Sequence, residues 1–188
     1  MMTTDFILAI IFDCFFAAVA SIGFAVISNP PRKAILVSAF LAAVGHGFRY
    51  FLLQSTSLDI SSASFIAAFI IGLLSILFAK KIHCPAEVFS FPSLLPMIPG
   101  MYAYKTVLAS VKFIQSDDYP TSVNIIVDIF RNGTTTVFVL FALVVGVSVP
   151  MFIFHSQTFS VTRILKFVNK ERRTLGKPSV EIEQIEER

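Results

Sequence analysis

Four ionisable residues lie inside long apolar stretches of this sequence: Asp13, His46, Arg49 and Lys105. A charge at membrane depth is costly, and such residues usually mark a substrate, ion or proton pathway. Arg49 and Lys105 are therefore candidate contacts for a carboxylate. Asp13 and His46 are candidate proton carriers, since an imidazole titrates near neutral pH.

The surroundings of Lys105 favour a carboxylate site. A helix that starts after Pro99 and Gly100 would direct the partial positive charge of its N-terminus towards an anion. Tyr102 lies three residues before Lys105, on the same face of that helix. Together with Pro96, these residues form the predicted substrate-binding site.

Depth along the helices leaves a structural alternative open. At 1.5 Å per residue, Lys105 lies about 18 Å inward from Asp117, and Asp13 lies about 13 Å from the same outer face. The two side chains could then neutralise each other without contacting solute. Arg49 lies only about 7–8 Å from the outer loop, and its long side chain could extend to that loop.

The segment that precedes Lys105 cannot form an uninterrupted helix. Residues 92–100 read Pro-Ser-Leu-Leu-Pro-Met-Ile-Pro-Gly, and each interior proline removes a backbone donor and clashes with the preceding turn. In lipid, the freed carbonyl groups need partners from the protein or from a water-filled cavity. Broken helices of this kind carry the binding sites of many transporters.

Composition indicates an integral membrane protein. The chain has 188 residues, of which 55% are hydrophobic and 14% charged, and its mean hydropathy is +0.79. Soluble domains carry nearer a quarter charged residues. No nucleophile motif, phosphate loop or metal-ligand spacing occurs, so we expect neither an enzyme nor a cofactor or metal site. The net charge of +3 reflects membrane orientation rather than nucleic-acid binding.

Runs of about 20 apolar residues predict five membrane crossings in an all-α fold. The crossings cover about residues 4–28, 34–53, 61–79, 82–116 and 134–155. The fourth contains a half-helix near 86–91, the broken segment and a helix over 101–115. A short interfacial helix over 121–132 is expected ahead of the fifth crossing.

Charged loop residues set the expected orientation. Arg32, Lys33, Lys80 and Lys81 fall on one side of the membrane if there are five crossings. On the opposite side, the loop 54–60 contains no Lys or Arg and the stretch 117–133 contains only Arg131. The positive-inside rule then places the N-terminus outside and the C-terminus in the cytoplasm.

Two domains are expected: a transmembrane domain over residues 1–158 and a cytoplasmic charged tail over residues 159–188. The tail combines apolar residues at helical spacing with a basic cluster. This pattern predicts an amphipathic helix that lies against anionic lipid headgroups.

Two helix contacts are also expected. Asp128 and Arg131 are three residues apart and should form a local ion pair. The third crossing carries small residues at spacings of three and four, which predict a face for close helix packing rather than a solute-lining face. They are Ser61, Ser64, Ala68, Gly72, Ser75 and Ala79.

Four stretches resemble the threonine/serine exporter family, in particular the smaller membrane subunit of its two-subunit form, which is also associated with succinate export. They are residues 23–32 (GFAVISNPPR), 63–69 (ASFIAAF), 80–86 (KKIHCPA) and 92–100 (PSLLPMIPG). For site residues, the resemblance extends only to Pro96, Pro99, Gly100 and Tyr102. The basic tail departs from the family pattern.

The resemblance implies half of an exporter in the bacterial inner membrane. It would move small carboxylates or hydroxy amino acids outward, driven by the proton gradient, with a larger subunit or further copies of itself as partner. The leading hypothesis is therefore a proton-coupled exporter subunit for small carboxylate-bearing metabolites such as threonine, serine or succinate. The alternative is a structural subunit that scaffolds a partner without contacting solute.

Overall fold

The computed structural model describes residues 4–82, 84–115 and 119–154. Within these residues the chain is all helical and has no β-strand. The elements are α1 (Thr4–Ile27), α2 (Arg32–Ser55), α3 (Ile60–Ile82), α4 (Glu87–Leu94), the 3-10 helix Leu95–Met97, α5 (Gly100–Ile114) and α6 (Tyr119–Ile153). The predicted tail over 159–188 and the domain boundary at 158 lie outside the described residues.

Four helices are long and apolar enough to cross a membrane. They are Thr4–Ile27, Arg32–Ser55, Ile60–Ile82 and Pro120–Ile153. These helices correspond to the first, second, third and fifth predicted crossings. The predicted fourth crossing corresponds to α4, the 3-10 helix and α5, each of which is too short to span a bilayer as a straight helix.

The links between the first three helices follow from local chemistry. Asn29 adopts a left-handed conformation with φ 48°, which asparagine tolerates better than most residues, and two prolines follow it before α2 begins. Asp59 precedes α3 and accepts hydrogen bonds from the backbone N–H groups of Ser61 and Ser62. Bonds from Ser62, led by its side-chain hydroxyl, hold the pKa of the Asp59 carboxyl below its usual range. These short links make α1 and α2, and likewise α2 and α3, antiparallel neighbours.

The interruption in the Pro/Gly segment is shorter than predicted. Pro92 lies inside α4, because its fixed φ suits a helix and only one backbone hydrogen bond is lost. The helical path ends at Ile98, whose ψ of 130° is extended. The residue before a proline avoids the α conformation, and Ile98 precedes Pro99. The non-helical backbone is thus confined to two residues between the 3-10 helix and α5.

The separation of an interfacial helix over 121–132 from a fifth crossing that starts at 134 is wrong. α6 is one continuous helix of 35 residues. No proline interrupts it before Pro150, and the hydroxyls of Thr134, Thr135 and Thr136 donate to carbonyls of the preceding turn. The helix therefore continues through the polar stretch that the sequence seemed to mark as a boundary.

The core lies among α2, α3, α4 and α6. Its largest fully buried side chains are Leu41, Ile71, Phe89, Met97 and Val139. A Phe or Leu side chain moved from water to a core contributes about 1.5–3 kcal/mol, but lipid is as apolar as leucine, so packing must hold the helices together.

The small-residue face of α3 packs against α6. A Cβ atom built on Gly146 would lie 2.7 Å from the carbonyl oxygen of Phe65 and 2.9 Å from the Cβ of Ala68. One built on Gly72 would lie 2.8 Å from the carbonyl oxygen of Val147. The two carbonyl oxygens belong to the backbone and the Cβ of Ala68 is fixed to it, so none of these atoms can rotate away. The packing interpretation of Ala68 and Gly72 is confirmed.

Replacing Gly146 by alanine should force α3 and α6 apart and lower the thermal stability of the purified protein. Gly23 is the matched control, since no atom lies within 4 Å of a Cβ built there. Gly23→Ala should be neutral or slightly stabilising, because alanine favours a helix by about 1 kcal/mol over glycine. Melting curves in detergent would measure both. Equal melting temperatures for the two variants would contradict the close α3–α6 contact.

Candidate functional site

Asp13 and His46 meet between α1 and α2. The Nδ1 atom of His46 lies 2.5 Å from Oδ2 of Asp13. Gly47 allows this approach, because a Cβ atom there would overlap the Sγ atom of Cys14 on α1. The side chains of Asp13 and His46 remain 27% and 16% exposed. The pair is therefore shielded in part by the surrounding helices.

Arg49 extends the contact to the Pro/Gly segment. Its Nη1 atom donates a hydrogen bond of 2.8 Å to the carbonyl oxygen of Met97. Its Nη2 atom lies 3.0 Å from Nε2 of His46, one helical turn earlier on α2. Asp13, His46, Arg49 and the Met97 carbonyl form one line of contacts, which we call the polar connection. It joins α1, α2 and the end of the 3-10 helix.

The donors and acceptors of the polar connection fix the state of the imidazole. A guanidinium group only donates hydrogen bonds, so Nε2 of His46 accepts the bond from Arg49. The neutral imidazole then carries its proton on Nδ1, which donates to the carboxylate of Asp13. With this tautomer, the negative Asp13, the neutral His46 and the positive Arg49 follow one another along the polar connection. Protonation of Nε2 would remove the acceptor for Arg49 and place two cations side by side.

The carbonyl of Met97 is available because the helix stops beside it. In a continuous helix, this oxygen would accept from an N–H group four residues later. Here the first bonds of α5 go instead to the carbonyl of Pro99, from Tyr102 at 3.1 Å and Ala103 at 3.2 Å. Arg49 supplies the donor that the interrupted backbone lacks, as the absence of water in a bilayer core requires.

The polar connection lies deep in the membrane layer. Asp13 follows the start of α1, and His46 precedes the end of α2, by about nine residues each. At 1.5 Å per residue, both lie about 13 Å from those helix ends, close to the middle of a hydrocarbon core about 30 Å thick.

The structure does not join Lys105 to this cluster. Asp13 is bound to His46, so the predicted Asp13–Lys105 pair is not formed. Lys105 is exposed on α5, a helix that buries none of its residues. Tyr102 is half-buried on the same helix.

The remaining predicted site residues lie at the interruption itself. Pro99 is buried, Pro96 is half-buried and Gly100 is exposed. Nothing lies within 4 Å of a Cβ atom built on Gly100, so this glycine is not needed for a close approach within the described residues.

Two expected contacts of charged residues are wrong. Arg49 does not extend to the outer loop, because the unpaired carbonyl of Met97 provides a nearer acceptor. Asp128 and Arg131 are both exposed on α6 and form no ion pair with each other. The Met97 carbonyl was also missed as a member of the site. The Pro/Gly segment indicated that some carbonyl would be freed there, but not which one.

A cleft of about 330 Å³ lies at the other end of α4. It is lined by residues 28–31 of the α1–α2 link and by Glu87, Phe91 and Pro92 of α4. Arg32 and Lys33 follow this link directly, so the cleft opens at what we call the basic end of the helices. No group of three His, Cys, Asp or Glu side chains in the described residues could hold a metal ion.

Long apolar helices, a part-buried line of polar and charged groups and an interrupted helix are the features of an integral membrane protein. Residues 13–153 match the family model described as "Threonine/Serine exporter, ThrE". The chain belongs to this family. The matched range includes the polar connection, α4, α5 and α6.

The chain is also similar to a protein of Haemophilus influenzae (strain Rd) that is described only as uncharacterized. The two are 33% identical over 154 residues, which cover 82% of this chain and 50% of the relative. The chain therefore spans about half the length of that relative. No solved structure matches the chain.

Replacing Arg49 by methionine should loosen the interruption without changing the rest of the helices. The Met97 carbonyl would lose its donor, and a hydrogen bond from a charged group contributes about 1.5–3 kcal/mol. Amide hydrogen exchange of residues 95–100, measured by mass spectrometry in detergent, should accelerate about tenfold or more. Arg131→Met removes an exposed arginine of α6 and serves as the control. Unchanged exchange over 95–100 in Arg49→Met would show that this bond does not hold the segment.

Proposed function

We propose that this chain is one subunit of a proton-coupled secondary transporter in the bacterial inner membrane. It exports small carboxylate-bearing metabolites, either threonine and serine or dicarboxylates such as succinate. Membership of the exporter family supports transport, and the polar connection supports proton coupling.

The polar connection carries this proposal because one guanidinium group has two competing roles. In the described state, Arg49 is held by His46 and by the Met97 carbonyl. Protonation of His46 removes one of these acceptors and repels the guanidinium. Arg49 is then free to bind a solute carboxylate, for which a two-pronged guanidinium is the best protein partner.

Release of the proton reverses these steps. Asp13 attracts the proton to His46 and stabilises the imidazolium while solute is bound. When His46 loses its proton, its Nε2 atom again accepts from Arg49 and the carboxylate is displaced. One proton and one carboxylate thus bind together and leave together, so each exported solute carries a proton with it and the flux of one depends on the other.

Tyr102 and Lys105 are proposed to hold the solute on the α5 side of the interruption. Lys105 is exposed at membrane depth, and a cation there requires an anionic partner or water. Pro96, Pro99 and Gly100 shape the backbone between Arg49 and this helix. The start of α5 adds the partial positive charge of a helix N-terminus.

We propose that α4, the 3-10 helix and α5 together form the broken fourth of five crossings. The cleft brings the start of α4 beside the α1–α2 link, and Thr106 of α5 lies beside Gly133 of α6. An odd number of crossings keeps the basic loops on one side, which places the N-terminus outside and the C-terminus in the cytoplasm. The charged tail would then contact anionic lipid headgroups.

The partner is proposed to be a larger membrane subunit of the same family, with a second copy of this chain as the alternative. Membership of the exporter family supports such a partner. A small solute, lipid and membrane subunits account for all expected partners, and no nucleic acid or cofactor is required.

The test is export from proteoliposomes that contain the chain with its partner, loaded with threonine or succinate. The wild-type complex should show solute flux that increases with an imposed pH gradient. His46→Gln should retain solute exchange at equal pH but lose the response to the gradient, whereas Lys105→Met should weaken apparent solute affinity and retain that response. Flux that is insensitive to both substitutions would instead indicate a scaffolding subunit.

A further inference from the structure

Ser21 differs from the two other fully buried serines of the helices that meet at the cleft, Ser38 and Ser93. Serine hydroxyls in membrane helices usually bond back to a carbonyl of the preceding turn. Ser38 does so with Ile35 at 2.8 Å, and Ser93 does so with Ser90 at 2.7 Å. The Ser21 hydroxyl is fully buried and has no hydrogen-bond partner among the described residues. A buried polar group in this state costs free energy and calls for an explanation.

Three of these serines lie at one level. Ser21 is about six residues before the end of α1, Ser38 about six after the start of α2, and Ser93 about six after the start of α4. Each therefore lies about 9 Å from the basic end of its helix. The cleft shows that these three helix ends are neighbours, because it is lined by the α1–α2 link and the first turns of α4. We call these three buried residues the serine layer.

The serine layer lies between the cleft and the polar connection. Asp13 is on the same side of α1 as Ser21, about 12 Å further from the basic end. Ala17 and Ala25 flank Ser21 on this face and are also buried. No residue of α1 before Ala17 is buried among the described residues. The buried contacts of α1 therefore lie on the cleft side of the polar connection.

We propose that the serine layer is the closed inner gate of the solute route, and that the Ser21 hydroxyl binds the passing solute when the gate opens. This inference rests on the proposed function. Solute would move from the cleft, between α1, α2 and α4, to Arg49. Small side chains let the three helices seal closely, and the free hydroxyl offers a hydrogen bond to a carboxylate or hydroxyl group of the solute.

Ser64 provides a matched control. Its hydroxyl is also fully buried and without a hydrogen-bond partner in the described part of the chain. It lies on α3 one turn before Ala68, which contacts α6. It is also near the start of α3, at the end of the helices opposite to the cleft. A role that depended only on an unsatisfied hydroxyl would affect both serines alike, whereas a role in the route affects Ser21 alone.

The gate is tested by cysteine accessibility during export. Cys14 and Cys84 are first replaced by alanine, and Ser21→Cys and Ser64→Cys are made in that background together with the partner. A charged, membrane-impermeant methanethiosulfonate is added to the cytoplasmic face of inside-out vesicles, with and without threonine or succinate. We expect modification of Ser21→Cys that accelerates with solute and stops export, and no modification of Ser64→Cys.

Alanine variants supply a second measurement that does not depend on the cysteine substitutions. Ser21→Ala should slow export about fivefold through the loss of one hydrogen bond, while Ser64→Ala should leave it unchanged. If Ser21→Cys stays as unreactive as Ser64→Cys during export, or Ser21→Ala exports at the wild-type rate, the gate is refuted and the exporter stands. If the wild-type complex moves neither solute, the proposed function fails and the gate fails with it.

Discussion

In a bilayer core, a carbonyl group that leaves the helical ladder needs a donor from within the protein. The carbonyl of Met97 is in this position, because Ile98 is extended and α5 starts its own ladder at Pro99. Arg49 provides the donor. A charged residue is stabilised at depth by the interrupted helix, and the interrupted helix is stabilised by the charged residue. The interruption and the buried charge therefore depend on each other.

The guanidinium group of Arg49 also connects the interruption to the titratable pair His46 and Asp13. Arg49 donates to the imidazole of His46, which donates in turn to Asp13. In the proposed mechanism, a change in the protonation of His46 changes how firmly Arg49 holds the backbone at residue 97. A local proton transfer would then alter the geometry of a helix break, a coupling that an isolated Asp–Lys pair between two straight helices would not provide.

Sequence patterns predicted the helices that depend on local chemistry, but they missed the contacts that depend on which side chains meet between helices. Apolar runs located α1, α2 and α3. The prolines predicted a break over residues 92–100, but the helical path continues past Pro92 to Met97. The partner of Asp13 was harder to predict. Lys105 and His46 lie at similar depths along their helices, and the sequence alone does not show that Asp13 contacts His46. The identity of the freed carbonyl depends on ψ at Ile98. The polar stretch Thr134–Thr136 can remain inside α6 because its hydroxyls find acceptors within the same helix.

The protonation state of His46 tests the central claim most directly. Imidazole nitrogen NMR on the 15N-histidine-labelled protein distinguishes the two neutral tautomers from the imidazolium, and His83→Gln and His155→Gln variants assign the remaining signals. Without solute at neutral pH, we expect neutral His46 with its proton on Nδ1. Addition of the exported carboxylate should convert it to the imidazolium. A proton on Nε2 in the solute-free protein, or a spectrum that solute does not change, would contradict the coupling of His46 to Arg49.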